Sequence, residues 1–314
     1  MASPKLSSVP KPHEVKEPSL SKAVIWIGLA MVGFTGINSM VREITQDLHP
    51  FELVFWRNLF AVALILPFLV LAHGRRALHL NRPKLAIARG LTEFVIMCCV
   101  FTAFSGLPLA QATALIFTNP LWITIGAGLF LGETVRMRRW LATAVGFVGM
   151  LVIVRPGTGD FSVYTAAALA AAVLIAVSTL TLRRASQSDS PGRIICWMSI
   201  VITPLGFIVA QPYWQGLTVE LFGMICLAVL FGTAGHYSLT TSYRYGEASQ
   251  TAPYLYIQLL LAAIVGYLAF EELPTFYTYL GGAIIAGSGI YIAHRERQLE
   301  KQTKIAKGLA DGSG

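Results

Sequence analysis

The chain is built from apolar runs long enough to cross a bilayer, beginning with KAVIWIGLAMVGFTGINSMVREI at Lys22 and recurring to about residue 293. Hydrocarbon offers no water to backbone N–H and C=O groups, so a spanning segment must be a helix or a strand of a closed barrel. Runs of about 20 residues select the helix. Further spans are expected at about 50–72, 84–105, 109–131, 139–154, 163–183, 193–210, 219–243, 248–270 and 275–293. Ten spans consume about 200 positions, and two tails of about 20 then leave loops averaging about 8, with no room for a soluble catalytic domain. The expected fold is an all-α polytopic membrane protein with ten transmembrane helices. Only 13% of residues are charged, against about a quarter in soluble domains.

The segment 1–21 mixes Pro, Ser, Lys and Glu without an apolar face and reads as a disordered tail. It lacks the short apolar core and cleavage site of a signal peptide. Positions 294–314 read as a basic tail that contacts anionic lipid. The net charge of +8 would suggest nucleic acid in a soluble protein, but here it is topology. If both tails are cytoplasmic, the inner side collects nearly every Lys and Arg, including Arg89 just inside span three, while the outer side keeps Arg42 and Arg155. That places both termini in the cytoplasm and the protein in the cell inner membrane, with lipid and not nucleic acid as its surroundings. Cys98, Cys99, Cys196 and Cys226 sit in apolar runs without metal-ligand spacing, as small core residues, and no metal or cofactor is implied.

The sequence also overlays on itself. With Phe101 set on Thr240, the segment FTAFSGLPLAQATALIFTNPLW lies over TTSYRYGEASQTAPYLYIQLLL. Thr102 then meets Thr241, Gln111 meets Gln250, Asn119 meets Gln258 and Glu133 meets Glu272. Five spans per half is odd, so the two halves, 22–154 and 163–293, must cross the membrane in opposite senses. An inverted 5+5 structural repeat is a hallmark of secondary transporters.

The chain resembles the EamA-type branch of the drug/metabolite transporter superfamily. The resemblance rests on HPFELVFWRNLF, LPLAQATALIFTNPLW running to LGE, and GFVGMLVIVRPG in the first half. In the second it rests on YGEASQTAPYLYIQLLLAAIVGYLAFEELPT and GGAIIAGSGIYIAHRER. It implies ten helices, cytoplasmic termini, a cavity between the repeats and a small organic substrate. The Gly132-Glu133 pair becomes Glu271-Glu272 in the second half, and Gln258 stands near a position where many members carry proline. HPFELVFWRN and APYLYIQLL are similar to segments of riboflavin carriers and of exporters of amino-acid-like metabolites.

Intramembrane polar groups point to the site, because charge in hydrocarbon is costly and usually functional. Arg57 lies about 10 Å of helix rise below the outer end of span two, and Glu93 about 13 Å from the inner end of span three. In a core of about 30 Å their levels differ by about 7 Å, close enough for an Arg57–Glu93 pair. Such a pair serves either substrate binding and coupling or permanent helix packing, and the resemblance gives Arg57 a structural share. Asn119 and Gln258 are expected as cavity amides beside helix breaks at Pro120 and Pro253. For these two amides the bland alternative is interhelical hydrogen bonding. His236, Tyr237, Tyr254 and Tyr256 belong to an aromatic cluster suited to a planar solute, with an interfacial belt as the bland alternative. Small-residue motifs at Gly128/Gly132, Ala142/Gly146 and Gly282/Ala286 serve internal packing or a homodimer.

The function expected is secondary active transport by alternating access of a small metabolite, a planar heterocycle such as riboflavin, with export of amino-acid-like metabolites or drugs as the alternative. No Walker A, H-E-x-x-H or Ser/His nucleophile pairing appears, so an intramembrane enzyme or a channel subunit is the remote alternative.

Overall fold

The computed structural model describes residues 19–74, 78–119, 121, 122, 125, 137–155, 161–186, 190–245 and 254–311. Among these residues the chain forms ten α-helices. They are α1 (Leu20–Ile44), α2 (Pro50–His73), α3 (Pro83–Gly106), α4 (Leu109–Ile116), α5 (Met137–Val154), α6 (Val163–Ser186), α7 (Pro191–Ala210), α8 (Val219–Tyr245), α9 (Ile257–Phe270) and α10 (Phe276–Asp311). Ser21–Ile44, Pro50–Ala72, Pro83–Gly106, Pro191–Tyr213 and Val219–Tyr245 are each long and apolar enough to cross a membrane. Trp140–Val154, Val163–Ser178 and Ile257–Phe270 are shorter apolar helices.

Local chemistry sets the helix starts. Pro50, Pro83 and Pro191 open α2, α3 and α7, where the missing N–H would have had no partner anyway. His49 caps α2 by accepting the Phe51 N–H on Nδ1 at 3.3 Å. Short links alternate the helices between two faces. One, the terminal face, carries the start of α1; the other, the far face, carries the α1–α2, α7–α8 and α9–α10 connections.

Helix packing reproduces the repeat without reference to sequence. The most extensive contacts are α1 on α8, α5 on α10, α2 on α7 and α3 on α6. Advancing every helix by five converts α1–α8 into α6–α3 and returns α2–α7 and α5–α10 to themselves. Several smaller contacts obey the same rule: α1–α9 is matched by α6–α4, α3–α7 by α8–α2, and α1–α3 by α6–α8. Lipid gives no hydrophobic drive between helices, so close packing must come from small residues. At the α1–α8 crossing a Cβ on Gly33 would lie 2.8 Å from both Gly235 Cα and Phe231 O. Ser288 of α10 donates its hydroxyl to the Ala142 carbonyl of α5, and a Cβ on Gly146 would meet Leu121. The Ala142/Gly146 motif is thus used inside the bundle; Gly128/Gly132 lies outside the described residues.

α10 continues beyond residue 293 to Asp311, because QLEKQTKIAK consists mostly of good helix formers. One expectation needs correction. The spans expected at 109–131 and 248–270 are not continuous helices: α4 ends at Ile116 and α9 begins only at Ile257. Positions 1–18, Pro120 and Pro253 lie outside the described residues.

Gly33→Ala is expected to lower stability by about 1–3 kcal/mol through overpacking, read by reversible unfolding in mixed micelles. Gly28, where an added Cβ would meet nothing within 4 Å, serves as control, and Gly28→Ala changes stability by no more than about 1 kcal/mol.

Candidate functional site

Arg57, on α2, is 1% exposed and is the largest fully buried side chain among the described residues. Its Nη1 donates to Asn58 Oδ1 at 3.1 Å and approaches Met97 Sδ at 3.8 Å. Asn58 is held in turn, its Nδ2 donating to the Val54 carbonyl at 2.8 Å. Nε and Nη2 of Arg57 are buried without an acceptor among the described residues. Across from them stands α8, where a Cβ on Gly232 would lie 2.8 Å from Nη2; only glycine leaves the guanidinium that space. One turn further along α8, His236 packs edge-on against Phe34 of α1, ring centroids 5.0 Å apart.

Glu93, on α3, is also buried, but its ion-pair partner is Arg89, one turn earlier on the same helix, at 3.0 Å. Glu93 Oε1 accepts a second hydrogen bond from Ser178 Oγ of α6 at 2.8 Å. The expected direct Arg57–Glu93 pair is therefore not formed. The physical reason is a nearer partner. Arg57 reaches α3 at Met97, one turn beyond Glu93, while Arg89 meets Glu93 at the i,i+4 spacing that a helix supplies without interhelical reach. Arg89, which the sequence places in the inner charge count, is 3% exposed. Its position one turn from the deep carboxylate of span three was the signal available in the sequence. Among the described residues the cluster thus holds two guanidinium groups and one carboxylate, contributed by α2 and α3 from the first half and approached by α6 and α8 from the second.

Spans four and nine meet at their interruptions. α4 stops in a tight turn, Thr118 N–H donating to the Leu115 carbonyl at 3.1 Å. α9 starts from a matching one, Leu259 N–H donating to the Tyr256 carbonyl at 3.0 Å. The internal overlay equates Phe117 with Tyr256, and these two rings are in contact, centroids 5.3 Å apart. A contact between equivalent residues lies on the axis that relates the halves. Asn119 and Gln258 follow the two interruptions at the same offset, Asn119 partly buried and Gln258 buried. Tyr256 is buried with its hydroxyl unpartnered against Gly289, and Tyr254 packs on the Ile27–Met31 cluster of α1. Tyr237 departs from the expected cluster: it is 45% exposed and meets Trp26 edge-on at 6.1 Å. Adjacent helical positions point about 100° apart, so His236 and Tyr237 cannot face one solute together. Among the described residues no three His, Cys, Asp or Glu side chains gather as a metal site.

At the far face each half places a carboxylate on the other. Glu272, just after α9, receives Arg42 Nε and Nη2 of α1 at 3.0 and 2.7 Å and the Leu109 N–H that opens α4 at 2.8 Å. Glu271 takes the left-handed conformation, φ 54°, that ends α9, and its counterpart in the first half is Gly132. Glu52, fully buried at the start of α2, accepts the Gln215 and Gly216 N–H groups of the α7–α8 connection at 2.9 and 3.1 Å. His49 stacks flat on Tyr213 at 3.7 Å. Desolvation holds its pKa below 6.5, opposed by Glu52.

The sequence matches the EamA-like transporter family twice, over residues 21–155 and 163–293. An S-adenosylmethionine uptake transporter of Rickettsia felis is 32% identical over 276 residues, 87% of this chain and 92% of that one. A riboflavin transporter of Vibrio cholerae is 30% identical, over 90% and 96% of the two chains. A solved crystal structure shares the fold, with a TM-score of 0.64 at 19% identity over 90% of this chain and all of the other.

Glu272→Gln is expected to lower stability by about 1–3 kcal/mol by weakening charged hydrogen bonds, and Glu271→Gly to raise it by about 1 kcal/mol by relieving the left-handed cap. Thermal unfolding in detergent reads both. A neutral His49 is required for its cap, and its folded pKa lies below the unfolded value. Its contribution is complete above pH 6.5 and is lost as pH falls through the lowered folded value. His49→Gln removes that pH dependence from the unfolding midpoint.

Proposed function

We propose, from the premise that this chain belongs to the EamA-like transporter family, that it is a secondary carrier of a small heterocyclic metabolite and works by alternating access between its two repeats. The observation that carries this reading is the buried charged cluster. Its charged members stand on α2 and α3 of the first half and are approached by Ser178 of α6 and Gly232 of α8 from the second, so relative motion of the halves changes their environment. The relatives' named substrates support the substrate class, since S-adenosylmethionine and riboflavin both present a planar ring system. Their strong overlap with this chain makes S-adenosylmethionine and riboflavin the first solutes to test. The distribution of Lys and Arg supports cytoplasmic termini and the cytoplasmic membrane as the site of action. Transmembrane charge at Glu93 is suited to coupling: its partners Arg89 and Ser178 sit on different helices, and protonation removes the ion pair with Arg89.

Counterflow in proteoliposomes decides the matter. Vesicles preloaded with unlabelled S-adenosylmethionine or riboflavin are expected to accumulate the labelled solute transiently and saturably. Non-saturating flux would mean a channel, and no exchange of either solute would remove the proposed substrate class. Glu93→Gln is expected to retain counterflow while losing accumulation driven by a pH gradient. An unchanged response to the gradient would exclude Glu93 from coupling.

A further inference from the structure

We infer that the substrate carries a carboxylate, that this group docks on the Nε/Nη2 edge of Arg57, and that Arg89 keeps the edge available by engaging Glu93. The inference rests on the carrier reading above and narrows its substrate.

A guanidinium presents two kinds of paired donors. Nε and Nη2 point along one edge of the plane in parallel, the spacing that receives both oxygens of a carboxylate. In this protein the remaining nitrogen, Nη1, is already directed at Asn58 and Met97. The two atoms without an acceptor among the described residues are Nε and Nη2, so what is left unanswered is a complete bidentate fork. Leaving two donors of a buried cation unsatisfied is strongly unfavourable, and native structures retain such groups chiefly where they have a function.

The competitor for that fork is Glu93, one turn from Met97 on the face of α3 that Arg57 reaches. If Glu93 were free, it would be the internal anion that neutralises Arg57 and excludes any other. It is instead fixed by Arg89 at 3.0 Å and by Ser178 at 2.8 Å. Two guanidinium groups against one carboxylate leave the described cluster with one positive charge in excess, which a carboxylate placed at the fork offsets locally, whatever charges the solute carries elsewhere. A solute with no anionic group would leave the fork unanswered in low dielectric. Arg89 is accordingly a positioning residue: it acts on the substrate through Glu93.

The test compares S-adenosylmethionine, its decarboxylated form and riboflavin by ligand-induced thermal stabilisation of the purified full chain, together with three variants. In the wild type, S-adenosylmethionine is expected to bind at least about tenfold more tightly than the decarboxylated form, in line with a charged bidentate contact. Arg57→Lys, which keeps the charge and removes the fork, should erase that preference. Arg89→Gln frees Glu93 to occupy Arg57 and should also erase it. Arg89→Gln/Glu93→Gln removes the competitor and should restore it, a recovery that a merely structural role for Arg89 would not produce. Equal binding of the two forms by the wild type overturns the carboxylate assignment and leaves the carrier reading standing. A failure of the double variant to recover, with the protein still folded, overturns the role of Arg89. If none of the three compounds binds, the heterocycle reading and this inference fall together.

Discussion

An ionised guanidinium at membrane depth is unfavourable by about 2.5–3.5 kcal/mol even on the most permissive scale, and the packing around Arg57 is arranged to hold one there. Asn58 orients Nη1, Met97 supplies a polarisable surface, and Gly232 withdraws its side chain so that α8 can pass close to Nη2. Each of these lies on a helix whose position is set elsewhere. α8 is fixed by its glycine-to-glycine crossing with α1, and α3 by its contact with α6. The symmetric scaffold thus supports a site that is not symmetric.

The asymmetry can be followed position by position. The register that aligns span four with span nine also aligns Glu93 with Gly232 and Met97 with His236. One repeat therefore carries a carboxylate where the other carries no side chain, and the space so left is where Arg57 lies. In α2 and α7, Pro50 and Trp56 correspond to Pro191 and Trp197, which sets Met198 opposite Arg57 and Ser199 opposite Asn58. The backbone frame is shared between the halves, while charge was placed in one of them.

The ten spans and the repeat were legible in the sequence, because each follows from a strong and local rule: hydropathy and self-similarity. The family and the transporter class followed from the same segments. Arg57 and Glu93 were legible as buried charges for the same reason. Their pairing was not, because depth counted from span ends fixes height and says nothing about which way a side chain turns. Arg89 was hidden by a rule that works on average, the gathering of cations at the inner face, which does not distinguish a loop residue from one buried nearly two turns into a helix. Tyr237 failed because neighbouring residues on a helix face different directions. Arg42 and Glu272 were visible as isolated charges, but 230 residues separate them, and only the folded chain shows that they meet.

The contact between Phe117 and Tyr256 has a thermodynamic consequence. When the two halves of an inverted repeat exchange conformations, the α1–α8 packing is traded for the α6–α3 packing, and whichever is tighter biases the equilibrium. A contact on the axis is mapped onto itself and is present in both states. Free energy common to two states cancels from the difference between them. On the alternating-access reading proposed above, the junction of α4 and α9 can therefore be made as tight as folding demands without biasing the exchange toward one side, and the aromatic rings at its centre serve as a neutral fulcrum.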